Sequence, residues 1–65
     1  MDYKYEVCCL SLNLETKGEE WRYYKTETFE QATSLYYISR LDESIKDCFI
    51  KDLKSGAIYK DGSWN

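Results

Sequence analysis

Hydrophobic and polar residues alternate over residues 3–14, and this pattern predicts a β-strand. The apolar side chains change face partway along it: Tyr3, Tyr5, Val7 and Cys9 share one face, and Cys8, Leu10, Leu12 and Leu14 share the other. A strand that is buried on one side keeps a single register. The switch therefore predicts either a β-bulge near Cys8-Cys9 or a strand whose middle is covered on both faces.

A second alternating segment, residues 20–26, follows a connection that contains Gly18. A short Gly-containing connection between two alternating segments is typical of a β-hairpin. Residues 20–26 are therefore predicted to be the returning strand. Its faces carry different pairs: Trp21 and Tyr23 on one, Arg22 and Tyr24 on the other.

The next segment carries the signals of a helix start. Thr28 is a good N-cap, Gln31 completes a capping box, and Glu27 and Glu30 suit the positive end of the helix dipole. At about 100° per residue, one stripe is predicted to face the sheet, with Ile38 at its edge: Phe29, Ala32, Leu35, Tyr36 and Ser39. Tyr37 and Leu41 project away from that stripe, and residues 42–44 are predicted to end the helix.

Two further strands are predicted at residues 45–53 and 57–60, joined by a tight turn in which Gly56 takes the left-handed position. Residues 61–65 are expected to fray unless Trp64 docks. The chain is therefore expected to form a single domain over residues 1–65. Its fold class is α+β: a four-stranded antiparallel sheet with one helix packed on one face, in the order ββαββ.

One helix covers one face of such a sheet, so the other face is expected to expose large apolar side chains. They are drawn from Tyr3, Tyr5, Leu12, Trp21, Tyr24 and Ile50. Because a stable monomer leaves little contiguous apolar surface in water, a second copy or a target protein is expected to cover this face. A chain of 65 residues also has a small core, and a homodimer would add to its stability.

The composition argues against catalysis. Histidine, the commonest general base and metal ligand, is absent from the 65 residues, so no cysteine or serine has a histidine partner. The three glycines all fall in predicted turns, which leaves no phosphate-binding loop. No catalytic residue, metal or cofactor is expected, and the chain is not expected to be an enzyme.

Charge and hydropathy narrow the class of partner. The nine basic and twelve acidic residues give a net charge of −3 without a Lys/Arg cluster, so direct nucleic-acid binding is not expected. The longest apolar run, residues 7–10, is too short to cross a membrane, and no signal peptide is visible at the start. A soluble, cytoplasmic protein is expected.

The three cysteines are expected to be reduced, buried, small apolar residues. Cys8 and Cys9 are adjacent and point to opposite faces of a strand, so they cannot hold one metal ion together. A disulfide is not expected to support the fold.

Aromatic and acidic side chains are the candidates for partner binding. Most of the seven tyrosines are expected to pack across the sheet, but Tyr37 lies off the core stripe and beside Thr33, and is a candidate interface anchor. Acidic residues cluster at the first hairpin and at the helix ends. Such an array, beside an apolar patch, can imitate DNA phosphates, but twelve acidic residues in 65 is an ordinary number and a solvated surface is the favoured explanation.

The chain resembles small proteins encoded by phages. The stretch ETFEQA…DLKSGAIYK is similar to a recurrent ββαββ pattern, and the order of elements with high Tyr and acid content resembles the phage-encoded inhibitors of uracil-DNA glycosylase. In that family, an aromatic–Glu step opens the helix, as Phe29-Glu30 does here. The family's next aromatic, one turn later, helps form an apolar pocket across a dimer; here Thr33 stands at that position, and Tyr36 and Tyr37 follow a turn later.

The resemblance implies an acidic dimer that inhibits a host DNA-handling or defence enzyme by occlusion or DNA mimicry. The expected partner-binding residues are Glu27, Phe29, Glu30, Thr33, Tyr36 and Tyr37. In this hypothesis the carboxylates take phosphate positions and the three aromatic rings form a pocket for an apolar side chain. The alternatives are an accessory dimerisation module of a larger assembly and a protein that sequesters a small molecule.

Overall fold

Over residues 2–65, five antiparallel strands form one sheet, and a single helix packs on one of its faces. The computed structural model describes residues 2–65. Its elements are β1 (Tyr5–Leu12), β2 (Glu19–Thr26), α1 (Phe29–Arg40), β3 (Ile45–Asp52), β4 (Ile58–Lys60) and β5 (Ser63–Trp64). The strand order is β2-β1-β3-β4-β5. The α+β class with one helix is confirmed, but the sheet has five strands and not four.

The extra strand, β5, is formed by residues that were expected to fray unless Trp64 docks, and the Trp64 ring does dock, with its centroid 5.5 Å from Phe29 and 5.4 Å from Tyr59. Only Asp61 and Gly62 separate the paired residues Lys60 and Ser63, and both have positive φ, 54° and 83°. Positive φ at both central residues defines a type I′ turn, and Asp-Gly is one of its preferred sequences. The sequence signal of a hairpin was therefore present between the segments IYK and SW, and the prediction of four strands was wrong.

Replacing Gly62 by alanine is expected to lower the free energy of unfolding by about 1 kcal/mol. A Cβ at this position would meet no atom within 4 Å, so the cost comes from the positive φ of 83° alone. Gly18→Ala is the matched control, because Gly18 has no positive φ and its Cβ would lie 3.4 Å from Thr16 Oγ1. Urea unfolding of both variants measures the difference, and equal stability of the two would contradict this account of the turn.

The helix begins at the predicted N-cap, and it ends at Arg40, with Leu41 as its C-cap, just before the residues predicted to end it. The Thr28 hydroxyl accepts a hydrogen bond from the Gln31 backbone N–H at 3.2 Å. The Gln31 side chain accepts from the Glu27 N–H at 3.1 Å, one residue before the N-cap. The predicted core stripe is confirmed, since Ala32 and Tyr36 are buried and Phe29 packs against them, partly buried.

The core lies between this stripe and the middle of the sheet. The sheet contributes Val7, Cys9, Cys48 and Ile50. The face switch in β1 is explained by burial on both sides, because Cys8 on the opposite face is only 3% exposed. The predicted bulge is not at Cys8-Cys9. A register shift does occur between Leu10 and Ser11, against β3.

The helix leaves β2 uncovered. Every β2 residue except Thr26 is exposed. The face of the sheet away from the helix is here called the open face. Of the side chains expected there, Trp21 and Leu12 lie on it, whereas Tyr5 and Ile50 pack under the helix and Tyr24 lies on the helix side of β2.

Candidate protein-binding surfaces

The open face carries a cluster of large apolar side chains, which we call the open-face cluster: Leu10, Trp21, Tyr23 and Phe49. Strand pairing assembles it, because Leu10 lies opposite Trp21, and Cys8 lies between Tyr23 and Phe49. The Trp21 ring meets the edge of Phe49 at a centroid distance of 5.6 Å and stacks on Tyr23 at 6.5 Å. Trp21 remains 42% exposed and Tyr23 58% exposed. These are the residue types that anchor protein interfaces.

Cys8 forms the floor of this cluster. Burial, with a smaller contribution from the Glu6 carboxylate, raises the pKa of the Cys8 thiol to about 11. The thiol therefore stays protonated at neutral pH, and a neutral thiol is a poor nucleophile. Cys8 acts here as a small apolar residue under the rings. All three cysteines are free and buried, as the sequence predicted.

Charged residues border the open-face cluster at both ends. At one end Glu6 lies between Lys25 and Lys51 in register across three strands. At the other end lie Glu19, opposite Leu12, and Asp47, opposite Leu10. Lys60 Nζ contacts Asp47 Oδ1 at 2.7 Å. An apolar centre with a charged border is the usual anatomy of a protein interface.

Two residues of the predicted partner site belong to the core. Phe29 lies within 5.5 Å of the rings of Tyr5, Tyr59 and Trp64, measured between centroids. Tyr36 is 1% exposed. Tyr36 is therefore buried among the protein's own side chains, and Phe29 packs against other rings of the chain but stays partly exposed.

Tyr36 also fixes the β4–β5 turn to the helix. Its hydroxyl oxygen accepts hydrogen bonds from the Asp61 backbone N–H at 3.0 Å and from Arg40 Nη1 at 3.2 Å. Arg40 in turn pairs with the Asp61 carboxylate at 3.4 Å. Sequence reasoning did not find this bridge, because it depends on the β4–β5 hairpin.

Three of the predicted residues do share a surface. The side of α1 that faces away from the sheet carries a row of residues at helical spacing: Glu30, Thr33 and Tyr37, followed by the C-cap residue Leu41. We call these four residues the outer helix stripe. The Thr33 hydroxyl donates to the Glu30 carbonyl at 3.0 Å. Tyr37 is 52% exposed, and a hydrogen bond with its hydroxyl raises the pKa of Tyr59. Glu27 is exposed just before the helix.

A groove of about 610 Å³ runs between α1 and the uncovered strand β2. Arg22 and Tyr24 line it from the sheet, and Ile38 and Asp42 line it from the helix side. Hydrogen bonds from the backbone N–H and hydroxyl of Ser44 lower the pKa of the Asp42 carboxyl. The groove thus combines one cation, Arg22, two carboxylates, Glu15 and Asp42, and exposed apolar atoms. No sequence motif marks it, because its walls come from separate elements.

Two features are absent among the described residues: a cluster of metal ligands and a membrane-spanning helix. Within residues 2–65, no group of three or more Cys, Asp or Glu side chains is placed to hold a metal ion. Over the same range, the single helix is too short and too polar to cross a membrane.

Comparison with known proteins does not assign the chain to a family. No family model matches it, and no curated protein or solved structure shows a significant similarity.

Proposed function

We propose that this chain is a small non-enzymatic binding protein that dimerises through the open face and presents its helix side to a target protein. The open-face cluster is the observation that carries the proposal. Trp21 and Tyr23 are 42% and 58% exposed on a strand that the helix does not cover. Removing these rings from water would supply the stability that a chain of 65 residues otherwise lacks.

The charges around the cluster favour a second copy as the occupant. One end of the open face carries two lysines and Glu6, and the other carries Glu19 and the Asp47–Lys60 pair. A two-fold axis in the plane between two sheets, perpendicular to the strands, would place Lys25 and Lys51 of one protomer against the acidic end of its partner. The same axis would bring the two open-face clusters together, as an isologous interface requires.

A dimer of this kind leaves the outer helix stripe and the groove exposed, because they lie on the other side of the sheet. Each dimer would present two such surfaces to a target. Glu27 and Glu30 flank the start of this surface, and Tyr37 supplies an exposed ring beyond them. The arrangement suits occlusion of a basic site on a target, such as a host DNA-handling or defence enzyme, with the two carboxylates in phosphate positions.

Sedimentation equilibrium of the purified chain tests the dimer. A dimer is expected at micromolar concentration. Because the apolar cluster dominates the interface and the charged ends add to it, raising the salt concentration is expected to weaken the dimer only modestly. A protein that remains monomeric at 100-fold higher concentrations would refute this proposal.

Charge reversal tests the target surface separately. The double variant Glu27→Lys, Glu30→Lys is expected to weaken binding to a DNA-handling target by roughly tenfold at low salt, because both carboxylates would face basic groups. The double variant Asp2→Lys, Glu43→Lys is the control, since it makes the same change in net charge at two exposed positions outside the outer helix stripe and the lining of the groove. Inhibition assays, beginning with uracil-DNA glycosylase, measure the effect. Equal inhibition by both variants would exclude phosphate mimicry and leave the accessory dimerisation module as the function.

A further inference from the structure

Two of the buried cysteines lie directly opposite each other in the centre of the sheet. Cys9 on β1 pairs with Cys48 on β3, and their sulfur atoms are 3.0 Å apart. Directly opposed residues on antiparallel strands have Cα atoms about 4.5–5.5 Å apart. That separation falls inside the range of about 4.4–6.8 Å that disulfides span. The strands therefore already hold the two residues at bonding distance.

Cys8, the third cysteine, is excluded from this pair. It lies on the open face, between Tyr23 and Phe49, whereas Cys9 and Cys48 lie under the helix. Adjacent residues of a strand point to opposite faces, so the Cys8 sulfur cannot approach either partner while the sheet is intact. The structure thus selects one of the three pairings that three cysteines allow.

We propose that Cys9 and Cys48 are a redox modification site, at which a low-molecular-weight disulfide such as oxidised glutathione converts the two thiols into a cross-strand disulfide. This proposal does not depend on the proposed function. The bond joins two adjacent central strands and requires only a small movement of the sulfur atoms, because a disulfide bond is about 2.0 Å long.

The reaction proceeds by two thiol–disulfide exchanges. One cysteine loses its proton and its thiolate attacks a sulfur of oxidised glutathione, which releases one glutathione as leaving group. The second cysteine thiolate then attacks the cysteine sulfur of this mixed disulfide and releases the second glutathione. The protein loses two electrons and two protons, and the glutathione disulfide takes them up to become two thiols.

Burial makes the native pair slow to react. Desolvation and the neighbouring Cys9 sulfur raise the pKa of the Cys48 thiol to about 12, so little thiolate is present at neutral pH. Cys9 lines the groove between α1 and β2, and Cys48 lines a second cleft beside Tyr36 and Lys60, so solvent approaches the pair from two sides. We expect the cross-link to form during folding, or when the helix opens locally, more readily than in the closed protein.

The experiment uses the full chain with Cys8→Ser, so that only the Cys9–Cys48 pair can form. The protein is refolded in buffers of fixed reduced-to-oxidised glutathione ratio, the exchange is quenched with acid, and the protein mass is measured by mass spectrometry. A parallel series of samples is equilibrated in the same glutathione buffers with urea added, so that the chain is unfolded. The disulfide appears as a loss of about 2 Da, and after trypsin it links the fragments of residues 5–17 and 47–51. The variant with both Cys8→Ser and Cys48→Ala is the negative control.

The equilibrium constant for disulfide formation is expected to be at least about 100-fold larger in folding buffer than in urea, because the fold holds the sulfurs together. Folding and disulfide formation are thermodynamically linked, so a fold that favours the disulfide is stabilised by it to the same extent. The oxidised protein is therefore expected to melt roughly 15 °C above the reduced one. An equilibrium constant that is equal or smaller in folding buffer would overturn the proposal. So would a wild-type disulfide that joins Cys8, which tandem mass spectrometry of the linked peptide detects by cleavage between residues 8 and 9. These comparisons need only the Cys8→Ser and wild-type chains, so they stand even if the control variant does not fold.

Discussion

Replacing Tyr36 by alanine is expected to lower the free energy of unfolding by about 4 kcal/mol. The ring is 1% exposed and packs against Tyr59, with centroids 5.9 Å apart. Its loss leaves a cavity beneath the helix and removes the acceptor of the Asp61 N–H. A domain of 65 residues has little stability in reserve, so the variant is expected to be largely unfolded at 37 °C.

Two matched variants separate the contributions of Tyr36. Tyr36→Phe keeps the ring and removes the hydroxyl, and is expected to cost about 1–2 kcal/mol, because the Asp61 N–H then lacks its partner. Tyr37→Ala changes the neighbouring residue, which is 52% exposed, and is expected to cost less than about 1 kcal/mol. Urea denaturation followed by tyrosine and tryptophan fluorescence measures all three. A larger cost for Tyr37 than for Tyr36 would contradict the placement of the helix.

Replacing both Trp21 and Tyr23 by alanine is expected to weaken self-association by at least about 100-fold. The two rings form the exposed part of the open-face cluster, and buried aromatic residues at an interface carry much of its binding energy. Sedimentation equilibrium over a range of concentrations measures the change in dissociation constant. Urea unfolding of the same protein checks that the monomer remains folded.

Tyr24→Ala is the control for this loss. Tyr24 lies on the same strand and is 42% exposed, as Trp21 is, but it points to the helix side of the sheet. It is expected to leave the dissociation constant unchanged within about threefold. If Tyr24→Ala weakens the dimer as strongly as the double variant, the interface lies on the helix side and not on the open face.

Local signals in the sequence predicted most of the fold. The helix was placed by Thr28, Gln31 and a five-residue apolar stripe, and the structure confirms each of them. β5 was missed because residues 61–65 were interpreted as a tail, although Asp61-Gly62 carries the signal of a type I′ turn. The same omission hid the role of Tyr36, whose hydroxyl bonds to that turn.

The partner surfaces were harder to predict, because they depend on which strands become neighbours. Trp21 and Tyr23 were correctly placed on one face of the second strand, but Phe49 joins them only through the pairing of β1 with both β2 and β3. Phe29 was assigned to a pocket because the position of Trp64 against it was not foreseen. The opposition of Cys9 and Cys48 likewise depends on register across 39 residues of separation.

The strand order also bears on aggregation. β2 and β5 are the edge strands, where backbone N–H and C=O groups lack neighbours and could template fibre growth. β5 is only two residues long, and β2 carries the charges of Glu19, Glu20, Arg22 and Lys25. Short and charged edges both discourage strand addition. In the dimer that we propose, the contact joins the faces of two sheets, closes after two chains and does not propagate.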